Sequence, residues 1–111
     1  MVELGKLIEI KDKDGNASIQ MKTENGDVTI NAARKMTVKV GDNITVALNG
    51  ESGKLTLKCQ DLSVETTGKT VVSATGKMSL SGSQFEANSQ AGVKISGSGL
   101  TQIGGATIKI G

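Results

Sequence analysis

Between Val28 and Leu48 the chain alternates apolar and polar residues in three short runs. Val28 and Ile30 form the first, Met36, Val38 and Val40 the second, and Ile44, Val46 and Leu48 the third. Alternation at period two predicts strands with one face covered and the other wet. The run centres Ile30, Val38 and Val46 lie eight residues apart, with breaks at Ala33-Arg34-Lys35 and Gly41-Asp42-Asn43. Such a beat leaves about five residues of strand and three of turn, one side of a small polygon laid down repeatedly.

The same alternation extends in both directions. Upstream, Leu7–Lys11 and Ala17–Lys22 alternate around Asp12-Lys13-Asp14-Gly15-Asn16, and Glu24-Asn25-Gly26-Asp27 supplies a second turn, so a hairpin is expected to feed the repeat. Downstream, the next centre is Leu57, eleven residues after Val46. Asn49–Gly53 is read there as an enlarged turn bulging from one edge of the repeat. The centres then continue at Val64, Val72, Leu80, Ala87, Ile95 and Ile103, and at Ile108 or Ile110, with Gly, Ser, Gln or Asp at the breaks. No apolar spacing of three and four persists, so the class is all-β.

Composition narrows this further. The 111 residues include one aromatic, Phe85, fifteen Gly, and no Trp, Tyr, Pro or His. Aliphatic side chains of this kind suit a narrow interior better than a broad core, which normally draws on several aromatics. If one chain supplied all three sides of a triangular coil, fewer than five coils would form, with two open ends needing caps. If three chains wind together, each supplies one side per layer at roughly 4.8 Å, giving a rod on the order of 50 Å. The pattern therefore predicts an intertwined trimeric triangular β-helix, a β-prism of 7–8-residue strand repeats with an N-terminal hairpin junction. Its trimer core is assigned to Val28, Ile30, Met36, Val38, Val40, Ile44, Val46, Leu48, Leu55, Leu57, Leu62, Val64, Val72, Met78, Leu80, Phe85, Val93, Ile95 and Ile103. The monomer is not expected to fold alone.

Charge and candidate chemistry add mostly exclusions. The net charge of +2 is too small to imply nucleic acid or an anionic membrane surface. Seventeen charges fall in residues 1–60 and seven in 61–111. A single cysteine rules out an internal disulfide framework. Cys59 shares the face of Leu55 and Leu57 and reads as a small buried hydrophobe, with no His to activate it. Asp12–Asn16 lacks the spacing of a calcium loop and reads as a turn. Arg34, Lys35 and Lys39 form a basic cluster flanked by Asp27 and Asp42, read as a solvated outer face. Gly97-Ser98-Gly99 and Gly104-Gly105 precede no helix and read as corners, not phosphate loops. Asp61, Glu65 and Glu86 are too scattered for a carbohydrate-active site. No catalytic residue, metal or cofactor is expected, and no apolar run has the length of a signal-peptide core or a membrane span.

The segment LIEIKDKDGNASIQMKTENGDVTINA, followed by MTVKVGDNITV and the short repeats, resembles the C-terminal spike of VgrG proteins and phage baseplate puncturing devices. The resemblance covers nearly all of the chain. It implies that residues 1–27 are a junction below an upstream OB-type head, and that residues 28–111 are a β-helical spike with a blunt tip. It also implies a trimeric, non-enzymatic, membrane-piercing part of a contractile injection system, either type VI secretion or a phage tail-like particle. Such a spike would be assembled in the bacterial cytoplasm and delivered outward on contraction. It would join baseplate and tube proteins through its head, and pierce the target membrane without stable binding. Ala106, Ile108, Lys109, Ile110 and Gly111 would dock a PAAR-repeat tip protein. Some such spikes end in a His-x-His iron apex, which a chain without His does not have. The alternative reading is a single-chain β-solenoid that polymerises end to end, like the bactofilins.

Overall fold

The computed structural model describes residues 7–111. Residues 1–6, the beginning of the junction expected over residues 1–27, lie outside the described residues. Among the described residues there are six strands and no helix. They are β1 (Leu7–Lys11), β2 (Ala17–Lys22), β3 (Asp27–Ala32), β4 (Lys35–Val40), β5 (Ile44–Asn49) and β6 (Lys54–Lys58). Two antiparallel three-stranded sheets result, ordered β1-β2-β3 and β4-β5-β6. The all-β class and the strand positions read from the alternation as far as Leu57 are thus present, while the repeats read around Val64 to Ile110 form no paired strand, since no described segment stands beside them to complete a ladder.

The way those strands pair differs from the expectation. Val38 stands directly opposite Val46, and Val46 opposite Leu57. Strands read as climbing from layer to layer of a prism between Val28 and Leu57 instead fold back on one another within the chain. Asn49–Gly53 is likewise not a bulge on a prism edge but the connection of a β5–β6 hairpin. The physical reason is a degeneracy of pattern. Short strands joined by turns of about three residues give the same seven-to-nine-residue beat whether the next strand reverses or proceeds.

Local chemistry fixes the reversals. In the first sheet, Gly15 N–H donates to the Asp12 carbonyl at 2.9 Å and Asp12 N–H to the Ala17 carbonyl at 3.0 Å, closing the turn read from Asp12–Asn16. Gly26 takes φ of 73°, a left-handed conformation that Gly adopts without steric cost, and its N–H reaches the Lys22 carbonyl at 2.9 Å. The expected junction hairpin is therefore a three-stranded meander that continues through Ala32, because β3 pairs along the whole of β2. In the second sheet, the Asn49 side-chain carbonyl accepts from the N–H groups of Glu51 (3.1 Å) and Ser52 (3.2 Å), which shapes the β5–β6 turn.

Two close backbone contacts tie the strands to their surroundings at Ala33–Arg34. Ala33 N–H donates to the Asn16 carbonyl at 2.8 Å, and Gly50 N–H to the Arg34 carbonyl at 2.8 Å. A Cβ at Gly50 would stand 3.0 Å from that same oxygen, so the position favours glycine through closeness of approach and not through φ.

The chain divides into two units, Met1–Thr67 and Gly68–Gly111. After β6 the described residues form neither strand nor helix, and the chain bends at regular intervals. In the first unit bends fall at Gln60 and Thr67; in the second at Gly68, Thr75–Gly76, Ser83, Gln90–Ala91, Ser98–Gly99 and Ala106. The steps are seven or eight residues, and the bends fall on or beside the breaks read from sequence. Counted from each bend, the fourth residue is always apolar: Val64, Val72, Leu80, Ala87, Ile95, Ile103 and Ile110. The second is Leu62, Thr70, Met78, Phe85, Val93, Thr101 and Ile108. In extended backbone the second and fourth positions share a side, so each segment presents one short apolar stripe.

Candidate interaction surfaces

Among the described residues, no three of His, Cys, Asp and Glu come together in a way that could hold a metal ion. What the fold does build is a pair of opposite faces on each sheet, set by register.

The covered-face residues read from sequence do come together. In the second sheet, Met36 lies opposite Leu48, Val38 opposite Val46, Val40 opposite Ile44, Val46 opposite Leu57 and Leu48 opposite Leu55. Cys59 continues the alternation of Leu55 and Leu57 and is half-buried. In the first sheet, Ile10, Ile19 and Ile30 form one cross-strand row, with Met21 opposite Val28. Cross-strand rows of this kind are the local unit of sheet stabilisation, each pair contributing roughly 0.2–1 kcal/mol. A groove of about 340 Å³ runs from the first sheet to the second, with Ile10, Ala17, Ile19, Ile30, Ala32 and Met36 on its apolar walls.

None of these side chains is buried by the chain itself. Among the described residues there is no buried hydrophobic side chain, and Val38 remains 47 % exposed, Leu80 75 % and Phe85 74 %. The assigned core positions are thus brought into register as far as Leu57, and none of them, from Val28 through Ile103, is buried by the chain itself. At the other end of the sequence, Ala106 is the last bend, Ile108 and Ile110 stand at the second and fourth positions after it, and Lys109 lies between them. Ile110 is 93 % exposed. No family model and no curated protein matches the chain.

The wet faces differ from each other. On the first sheet, Glu9, Lys11, Lys22 and Asp27 share a face, two acids against two bases. Gln20 Nε2 donates to Glu9 at 2.7 Å, and Lys11 lies 3.8 Å from the same carboxylate. On the second sheet the basic cluster read as Arg34, Lys35 and Lys39 is rearranged. Arg34 is drawn into an ion pair with Glu51 in the β5–β6 turn. Lys35 and Lys39 share their face with Lys54 and Lys58 of β6. Those two lysines were not singled out from sequence, although KLTLK places both at the positions alternate to Leu55 and Leu57. Recognising the Asn49–Gly53 connection as a hairpin was the missing step, since only reversal brings β6 beside β5.

Proposed function

We propose that this chain is one of three identical strands of a β-structural spike, the non-enzymatic puncturing element of a contractile injection system. The observation that carries the reading is the bend every seven or eight residues from Gln60 to Ala106, with an apolar residue at every fourth position and no apolar side chain buried. Extended segments of that length present only two inward positions each, too few to make a core unless neighbours cover them. Covering a Val, Leu, Ile or Phe side chain is worth ~1.5–3 kcal/mol. With nineteen assigned core positions, the gain from three-fold packing is large enough to offset the ordering of an extended chain.

Three chains are favoured over one because a single-chain solenoid stacks its own successive coils, whereas here the in-chain ladders belong to the antiparallel sheets of Leu7–Lys58. In the trimer the apolar faces of the antiparallel sheets would turn to the other two chains and their polar faces to solvent. The repeats from Gln60 onward form the intertwined triangular β-helix. Rigidity follows, since a closed prism with every layer hydrogen-bonded to the next has no hinge. A head carried by a longer chain would connect the spike to baseplate and tube proteins, and the assembled particle would stand in the bacterial cytoplasm until contraction.

At the tip, three copies of Ile108 and Ile110 would present a small apolar platform for a PAAR-repeat cone. Capture of a PAAR-repeat protein by the wild-type chain, and its loss with Ile108→Asp and Ile110→Asp, is the expected outcome. Binding that survives both changes overturns the docking role.

A further inference from the structure

The wet face of the second sheet is a three-by-three grid whose rows follow from the register. They are Lys35–Asn49–Lys54, Thr37–Ala47–Thr56 and Lys39–Thr45–Lys58. Lysines occupy all four corners, and the positions between them are Thr, Asn and Ala. All four lysines are exposed, and none makes an ion pair with a described residue. The acids closest along the chain lie off the grid: Asp42 in the β4–β5 turn, Asp61 beyond β6, and Glu51, which Arg34 holds. At ~3.4 Å per residue and ~4.8 Å per strand, the corners outline a rectangle of about 14 by 10 Å. A local charge of +4 on that area is hidden by a net charge of only +2 for the whole chain.

The chemistry of the grid selects among anionic ligands. It has no arginine, hence no planar fork for bidentate recognition of a single carboxylate or phosphate. It has no aromatic ring on which a base or a sugar could stack. Lysine is depleted from the cores of protein–protein interfaces, which argues against an acidic protein partner. A lysine point charge is fully effective against a dense, flat array of phosphates, where each lysine near an anionic leaflet raises affinity about five-fold. We propose that this face docks on the headgroups of an anionic lipid bilayer, a contact that the sequence-level expectation of passage without stable binding did not include. It is independent of the injection reading, because the grid faces solvent in any assembly that covers the opposite, apolar face.

Flotation of the full chain with vesicles tests this directly. Binding is expected to phosphatidylcholine vesicles containing phosphatidylglycerol, and not to phosphatidylcholine alone. It should be strong at about 0.1 M salt and lost at about 1 M, where the screening length falls from ~10 Å to ~3 Å. Lys39→Gln with Lys58→Gln should weaken it about 25-fold, and all four substitutions several hundred-fold. Lys11→Gln with Lys22→Gln, on the balanced face of the first sheet, should leave it unchanged. Far-UV circular dichroism and solution mass confirm that each variant keeps the parent fold, and if the four-fold variant does not, the double variants decide. Equal binding to neutral vesicles, equal weakening by the first-sheet pair, or retention of duplex DNA without vesicle binding overturns the proposal.

Discussion

Leu7–Lys58 and Asp61–Gly111 are written in the same alternating pattern, yet they satisfy their backbones differently. In the first region, turns rich in Asp, Asn and Gly reverse the chain, and successive strands hydrogen-bond to each other. In the second region, bends at or beside Gly, Ser, Gln or Ala recur every seven or eight residues, and no described strand pairs with another there. The chemistry of the break differs as well: Asp12–Gly15, Glu24–Gly26 and Asn49–Gly53 carry the Asp, Asn and Gly that favour hairpin turns, whereas the later breaks are mostly Gly, Ser, Thr, Gln and Ala. The first region leaves one face of each sheet uncovered; in the proposed trimer the second would draw its ladders and its core alike from neighbouring chains.

The largest expected effect comes from placing a charge on the stripe. In the proposed trimer, Val38→Asp and Ile95→Asp would each put a carboxylate near the three-fold axis, where it would meet two copies of itself, and an unpaired buried charge costs several kcal/mol per ion. Both should abolish the trimer in sedimentation equilibrium. They should differ in what survives. Ile95→Asp acts in the region without in-chain ladders and should leave the strand signal of Leu7–Lys58 in far-UV circular dichroism, while Val38→Asp should weaken it as well. A stable trimer with Val38→Asp would sink the idea of a shared axial core.

Smaller changes sharpen the same contrast. Leu80→Ala and Leu57→Ala both remove a leucine from the proposed core, at about 2–5 kcal/mol per chain. Leu80→Ala, in the region held only by neighbours, should lower the denaturation midpoint with a stronger dependence on protein concentration. Midpoints that move equally at all concentrations would place both leucines in an intramolecular core. Gly50→Ala should cost about 1–3 kcal/mol through crowding of the Arg34 carbonyl, read as a lower midpoint without change in oligomeric state.

Much of this was legible beforehand. Leu7–Lys11, Ala17–Lys22 and the strands within Val28–Leu48 follow from alternation, and the bends from Gln60 to Ser98–Gly99 follow from small residues at the breaks. Pairing direction was not legible, because alternation reports which face a residue occupies and is blind to whether the next strand reverses. The lysine grid was hidden for the same reason: Lys35 and Lys58 are twenty-three residues apart in sequence and come onto one face only through the β4-β5-β6 meander. Arg34 looked like part of a basic cluster until the turn carrying Glu51 folded onto it.

The proposed three-chain core, drawn from the exposed apolar residues of both regions, is the central claim, and the mass of the folded particle tests it most directly. Sedimentation equilibrium of the full chain should give three times the 11.4 kDa chain mass, with no smaller folded species on dilution. A folded monomer, or an open-ended series of larger assemblies, would contradict the account.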